Sequence, residues 1–358
     1  MDTRIRKLET QDPTTSARVL GRSICLLLTI LLCAVPCASF AQEEHALIAL
    51  TPSFIGNWAL TLPNGAAGWL GVTQKNGQLQ ANILWGGGSV LPVESIKLEG
   101  DQLVVTRGRP APRKAAPGKT GKAPSTEIIT ARVSGDTLNL TVETGGKGVK
   151  KAEFTGKRTP PLPPAPVLSK VKFGKPIVLF GGKDLAGWKL TNPNQANGWS
   201  VQDGVLINKP VQEEGQPHKA YGNLRTGQEF EDFNLTLDTR VAEGNNSGIY
   251  LRGIYEVQVM DSYGRPLDAH NMGAIYSRIC PSVAAEKPAG QWQTFDITLV
   301  DRHVTVILNG TKIIANQPLL GCTGGALWSD QFGPGPLYLQ GDHTGVEYRN
   351  IVLRPVLK

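Results

Sequence analysis

The residues best suited to chemistry lie in one stretch, Asn245-Asn246-Ser247-Gly248-Ile249-Tyr250-Leu251-Arg252, followed by Tyr255-Glu256-Val257-Gln258-Val259-Met260-Asp261. In an extended strand alternate side chains share a face, so Val257 and Val259 turn to a core while Glu256 and Gln258 turn away from it. Tyr250 and Arg252 oppose Ile249 and Leu251 in the same way. One extra residue at Met260, a β-bulge, predicts Asp261 on the face of Glu256 and Gln258. Desolvating an unpaired carboxylate costs several kcal/mol, so two acids and an amide on one open face call for partners. A ligand rich in hydroxyls supplies them. A wet outer face on which Arg252 neutralises Glu256 is the competing reading.

These residues need rigid strands, and the surrounding sequence supplies them. Apolar alternation marks strands over 177–180, 199–207, 233–241, 248–252, 255–259, 274–279, 292–300, 303–308, 337–340 and 346–353. No helical period of useful length interrupts them, so two stacked antiparallel sheets are predicted. Upstream, from Phe54 to Lys157, short alternating runs are separated by Asn76-Gly77, Gly100-Asp101 and Gly135-Asp136, which read as hairpin turns. About eight such strands suit a small closed or half-closed barrel. Its Gly56-Asn57-Trp58 opening resembles the start of lipocalin-like barrels. The fold class is thus all-β, a barrel-like domain over 42–158 and a sandwich over 173–358. Between them, 159–172 begins Thr159-Pro160-Pro161-Leu162-Pro163-Pro164-Ala165-Pro166, an extended polyproline linker.

The first residues read as a secretory signal over 1–41: basic residues from Arg4 to Arg22, an apolar run over 24–35, and the exit Ser39-Phe40-Ala41. The apolar run is well short of the ~20 residues that span a bilayer, so no integral span is expected after cleavage. Periplasm, cell envelope or extracellular space is the expected location. Only Cys280 and Cys322 remain in the mature chain, and in an oxidising compartment such a pair is expected as a disulfide. Residues 1–172 hold 21 Lys+Arg against 12 Asp+Glu, whereas 173–358 hold 16 against 18, within a net charge of +7. A basic excess confined to one half of an exported chain argues against a nucleic-acid partner. Six basic residues and no acid in 107–122 make a solvated loop, with polyanion contact as its alternative use.

Motifs along the second half resemble a known family. They are Phe180-Gly181-Gly182-Lys183-Asp184-Leu185-Ala186-Gly187-Trp188, Trp199 with Asp203-Gly204, and Asn246-Ser247-Gly248 with Arg252. Tyr255-Glu256-Val257-Gln258 with Asp261, Gly273-Ala274-Ile275-Tyr276, Asn309-Gly310, Leu339-Gln340-Gly341-Asp342-His343 and Tyr348-Arg349-Asn350-Ile351 complete the series. It resembles the 3-keto-disaccharide hydrolase domain family, with departures at Trp292-Gln293 and Tyr348. The resemblance implies a concanavalin A-like jelly roll related to laminarinase-type glycosidases, and an exported enzyme that cleaves 3-keto-glycosides. It does not reach the barrel.

A keto group at carbon 3 acidifies the hydrogen on carbon 2. A base can then start an elimination that expels the group on carbon 1, and added water completes a net hydrolysis. The base is expected to be Glu256, the acid Asp261 or His343, and the enolate stabiliser Arg252 or a bound divalent cation. Asn246, Tyr250, Arg252, Gln258, Tyr276, Gln340 and Asp342 are expected to bind substrate. Asp261, Asp268 and His270 have the residue types of metal ligands. A direct glycosidase would use the same acids, ~5–5.5 Å apart if retaining and ~6.5–9.5 Å if inverting. A non-catalytic lectin is the other class: Glu256, Gln258 and Gln340 would hold hydroxyls, and Tyr250, Tyr276 or Trp328 would stack on sugar.

Overall fold

The structure, a computed structural model, describes residues 53–109, 125–145 and 150–358. The expected signal at 1–41 and most of the basic loop at 107–122 lie outside the described residues. Among the described residues no helix is long and apolar enough to cross a membrane.

The first sheet comprises β1 (Gly56–Thr61), β2 (Ala67–Lys75), β3 (Gln78–Trp85), β4 (Leu91–Pro92), β5 (Ser95–Glu99), β6 (Gln102–Arg109), β7 (Ser125–Ser134), β8 (Thr137–Thr144) and β9 (Lys150–Arg158). Successive long strands pair antiparallel, and β1 also pairs with β9. The segment 91–99 bends as it passes from β3 to β6: Val93 N–H donates to Ala81 O at 3.1 Å, and Glu94 N–H donates to Thr106 O at 2.9 Å. Those two bonds bridge the ends of the sheet and make it a barrel, which removes its open edges. Asn76 and Gly77 both have positive φ, 51° and 79°, the backbone of the tight hairpin turn that their types favour. The interior is filled by alternate side chains such as Trp58, Leu60, Leu70, Ile83, Val105 and Leu140. Arg107, expected in a loop, is a strand residue of β6. Its Nε donates to the buried Glu127 Oε2 at 2.7 Å, and its guanidinium lies 4.3 Å from the Trp85 ring centre.

Two further sheets form the jelly roll. One holds β12 (Trp199–Gln202), β13 (Val205–Asn208), β22 (Val346–Pro355), β15 (Phe233–Arg240), β18 (Gln293–Val300), β19 (His303–Leu308) and β20 (Thr311–Pro318), with β10 (Ile177–Phe180) also paired to β22. The other runs β11 (Trp188–Leu190), β14 (Leu224–Phe230), β21 (Gly335–Leu339), β16 (Asn246–Leu251) and β17 (Tyr255–Met260). Leu235, Leu237, Phe295 and Ile297 of the eight-stranded sheet and Ile249, Leu251, Val257 and Val259 of the five-stranded one share one buried cluster. That burial is the main driving term for the sandwich.

Two expectations are corrected here. Residues 274–279 do not form a strand, because Gly273 and Ser277 have φ of 80° and 59° and the chain curls, with Arg278 N–H donating to Ile275 O. The curl nevertheless caps the edge of β17, since Gln258 N–H donates to Ala274 O and Tyr276 N–H to Glu256 O. Cys280 and Cys322 are both free thiols and form no disulfide. Their sulfurs face different carbonyls, Cys280 that of Pro281 at 3.4 Å and Cys322 that of Gly68 at 3.7 Å.

The barrel and the jelly roll share buried surface. Ala67, Trp69 and Leu84 of the barrel belong to the sandwich's apolar cluster. Trp69 Nε1 donates to Leu320 O at 3.0 Å, and the Arg278 guanidinium lies 4.3 Å from the Trp69 ring centre. Gly321 makes room for this indole, for a Cβ there would lie 2.3 Å from Trp69 Cδ1. The linker is tied down as well: Arg302 Nη2 donates to Pro160 O at 3.0 Å, and Asn316 Nδ2 donates to Pro166 O at 3.0 Å. Trp69→Ala is expected to cost about 3–5 kcal/mol and to make the linker open to protease. Chemical denaturation with limited proteolysis checks this, and an unchanged midpoint would show that the indole does not hold the contact.

Candidate functional site

The five-stranded sheet turns Tyr250 and Glu256 away from its core, directly opposite one another in the β16–β17 register. Gly248 is what lets the carboxylate lie across the sheet, because a Cβ there would sit 2.4 Å from Glu256 Oε1. Tyr338, paired with Tyr250 on the other side, stacks on it with ring centres 4.1 Å apart. Glu256 N–H donates to Thr323 Oγ1 at 2.9 Å, which anchors the loop that carries Gly324 and Gly325 over the sheet.

The Glu256 side chain is 3% exposed. Burial pushes its pKa up to about 8, opposed by the Tyr250 hydrogen bond and assisted by the charge of Asp342. Tyr250 Oη lies 2.9 Å from Glu256 Oε2 and 2.7 Å from Gly324 O, yet a phenol has one proton to give. Burial also raises the Tyr250 pKa well above its ordinary value, so the phenol keeps that proton. If it donates to Gly324 O, the contact with Glu256 needs the carboxyl's own proton, as the neutral acid provides. Gln258 lies behind, its Nε2 donating to Glu256 Oε1 at 3.2 Å and to Ser247 O at 3.1 Å.

Around this pair is a cavity of about 300 Å³ lined by Gly87, Gly88, Asn223, Asn246, Tyr250, Glu256, Tyr276, Gly324, Gly325, Tyr338, Gln340, Asp342 and His343. Asn223 sets its rim. Asn223 Nδ2 donates to Tyr338 Oη at 3.0 Å, while its Oδ1 accepts from Gly341 N–H at 2.7 Å and Asp342 N–H at 3.1 Å. The turn fixed in this way presents His343, whose Nδ1 lies 2.7 Å from Asp342 Oδ1. That hydrogen bond raises the His343 pKa against the opposing effect of burial. With Nδ1–H given to Asp342, Nε2 is the nitrogen left for a ligand. Asn246 Oδ1 and Gln340 Oε1 are buried and have no hydrogen-bond partner among the described residues. Such acceptors are costly unless a water or ligand hydroxyl donates to them.

Of the residues expected to bind or react, Asn246, Tyr250, Glu256, Tyr276, Gln340, Asp342 and His343 meet in this cavity. Three others do not. Gln258 supports Glu256 from behind and is 2% exposed. Asp261 is elsewhere because β17 contains no bulge: the register runs unbroken from Asn246↔Met260 to Leu251↔Tyr255. Its Oδ2 instead accepts from Gly244 N–H at 3.0 Å, in the turn leading to β16. Arg252 has φ of 55° and leaves the strand, and its Nη2 donates to Gln331 O at 2.7 Å and to Gly333 O. It therefore cannot serve an enolate in the cavity. Nor do Asp261, Asp268 and His270 converge: among the described residues no group of three or more His, Cys, Asp or Glu is placed to hold a metal ion. Sequence reasoning missed Asn223 and Tyr338, and also the glycines. The doublets Gly87-Gly88 and Gly324-Gly325 were the available signal, since adjacent glycines in loops permit close backbone approach. A wider cleft of about 860 Å³ between β3 and β5 is lined by Gln74, Gln78, Gln80 and Asn82, with Glu94 its one carboxylate. It lacks the paired proton-transfer groups of the smaller cavity.

An antiparallel jelly roll with a buried acid in a polar, amide-lined cavity belongs to the glycosyl hydrolase-like class, and the comparisons are of that kind. Residues 175–354 match the model of the 3-keto-alpha-glucoside-1,2-lyase-like domain, and the chain belongs to that family. A 3-keto-disaccharide hydrolase of Bacteroides thetaiotaomicron is 27% identical over 144 residues, 32% of this chain and 49% of that protein. The chain thus spans about half the length of this curated relative. A crystal structure of a candidate glycosyl hydrolase from Parabacteroides distasonis is 31% identical, covering 56% of this chain and 94% of that one with a TM-score of 0.42. Another from the same organism is 27% identical, covering 51% of this chain and all of that one, with a TM-score of 0.37.

The Glu256 pKa carries a stability consequence. In the unfolded chain this carboxyl ionises near its ordinary value, 4.5, and in the fold near 8. Between those values the native state holds the extra proton, so the group's contribution falls as pH rises through the window and levels off above it. Glu256→Gln removes this dependence. The difference in stability between variant and wild type is expected to move in the variant's favour, by at most about 1.4 kcal/mol per pH unit. Denaturant titrations at pH 5, 7 and 9 measure it, and a constant difference would mean that Glu256 is ionised throughout.

Proposed function

We propose that this protein cleaves glycosidic bonds of 3-keto-glycosides, by elimination across carbons 1 and 2 followed by addition of water. The observation that carries this is the buried Glu256 acid facing unpartnered amide oxygens of Asn246 and Gln340 in one cavity. The family description, which names a 3-keto-alpha-glucoside-1,2-lyase, and the name of the curated relative support the substrate class. The basic and apolar opening of the sequence supports an exported protein of the periplasm or envelope.

The pKa directions favour a division of labour opposite to the one expected from sequence. Glu256 carries a proton at neutral pH, which suits it to protonate the departing glycosidic oxygen. His343, held by Asp342 through Nδ1, takes the carbon 2 proton on Nε2. The electrons of that C–H bond pass to the keto oxygen as an enolate, then return to expel the protonated leaving group from carbon 1. Asn246 and Gln340 accept from sugar hydroxyls. Tyr250, bonded to Gly324 O, holds the Glu256 carboxyl in place.

Activity with this assignment is bell-shaped in pH. It rises as His343 loses its proton, at a pKa above 6.5, and falls as Glu256 ionises near 8. Rates on a 3-keto glucoside and on its unoxidised parent across pH 5–10 test both points. Cleavage confined to the keto sugar, with the alkaline limb abolished in Glu256→Gln at a rate lowered ~10²–10⁴-fold, is expected. Binding of both sugars without turnover would refute the enzymatic reading. A rate that climbs through pH 8 to a plateau would make Glu256 the base.

A further inference from the structure

One wall of the cavity is not made by the jelly roll. Gly87 and Gly88 lie between β3 and β4 of the barrel and line the cavity beside Gly324, Tyr250 and Glu256. The approach is backbone against backbone, for a Cβ on Gly324 would lie 2.1 Å from Gly88 O and 2.6 Å from Gly88 N. Gly324 is also the residue whose carbonyl takes the Tyr250 hydroxyl. Barrel loop, Gly324, Tyr250 and Glu256 are therefore joined by three consecutive contacts. The loop is pinned at its next residues as well. Ser89 Oγ lies 2.8 Å from His270 Nε2, and Val90 N–H donates to Ser277 Oγ at 2.9 Å. His270 in turn has Nδ1 against Asp268 Oδ1 at 2.5 Å and its ring edge-on to Tyr276, centres 4.9 Å apart. Tyr276 lines the same cavity.

We infer that the barrel is the specificity element of the site: the run of glycines at 86–88 forms the wall against which the leaving group of the substrate rests, and Ser89 with His270 is the latch that positions it. The inference rests on reading the cavity as a glycoside site. If Glu256 protonates the departing oxygen, the leaving group lies on the Glu256 side of the cavity, which is the side closed by Gly324 and Gly88. His343 and Asp342, on the turn after β21, then address the keto ring. A wall without side chains presents peptide faces that accept a second sugar ring, while the barrel behind it limits how far a longer leaving group can extend. The barrel lies outside the matched family region, so this wall is a property of the present two-module chain.

The test uses the full chain, a 3-keto disaccharide and methyl 3-keto-glucoside. Gly87 is the useful position, because it lines the cavity, a Cβ there meets nothing within 4 Å and its φ is not in the left-handed region, so a side chain is accommodated without straining the fold. Gly87→Phe is expected to keep the melting temperature and to raise KM for the disaccharide about tenfold or more relative to the methyl glycoside. Ser89→Ala is expected to raise KM for the disaccharide several-fold at constant kcat, with Ser89→Thr restoring it. Equal effects on both substrates, or none on the disaccharide, would overturn the wall. Calorimetric titration of the same two sugars separates the two readings. Binding without turnover defeats the enzymatic reading alone, and the wall is then judged by the ratio of Kd values. No binding of either sugar to the wild-type chain overturns both.

Discussion

Glu256 is 3% exposed, a burial that favours the neutral carboxyl, and among the described residues no Lys or Arg lines its cavity. The residues around it follow from that. Tyr250 and Gln258 supply neutral hydrogen bonds in place of a charge. Gly248 supplies the space in which the carboxyl lies, and Tyr338 holds the Tyr250 ring in plane by stacking. The charge of Asp342, another lining group, strengthens the preference for the protonated form. An acid kept neutral near physiological pH by its surroundings is a proton donor prepared in advance of its substrate.

The outer face of the five-stranded sheet would be wet if the strands stood alone. It is covered instead by loops from several directions: the curl at 273–279, the loop after Cys322, the turn after β21 and the barrel's glycine run. Each is fixed by backbone hydrogen bonds or by a polar side chain, Thr323 for one and Asn223 for another. The barrel's own contribution depends on Trp69, a side chain turned outward from β2 into the sandwich's cluster. Glycines at 71 and 321 clear room for it, and a Cβ at Gly71 would fall 2.2 Å from the indole. Close approach of several segments, rather than any single strong bond, makes the site.

Much of this was legible in the order of residues. Period-two alternation and Gly-containing turns gave the all-β class and the two modules, because side-chain direction in a strand depends only on parity. The same parity put Tyr250 and Glu256 on one face, and the family resemblance added Gln340, Asp342 and His343 from a distant strand. What failed did so where parity ends. Asp261 and Arg252 sit just beyond the strand termini, where one φ value decides direction, and neither the missing bulge at Met260 nor the left-handed Arg252 leaves a mark in the sequence. The paired cysteines illustrate a different limit, since counting thiols says nothing of the separation between them.

Sequence by itself determined the strands, the faces and the residue types that could move protons, all of which are local properties of a chain with a two-residue period. The tertiary structure alone decided that the face is closed, that Glu256 is dry enough to hold its proton, and that a loop from the barrel walls the cavity. Those outcomes depend on desolvation and on backbone approach between segments more than two hundred residues apart, and a dielectric environment is a property of everything around a group, with no counterpart in the residues on either side of it.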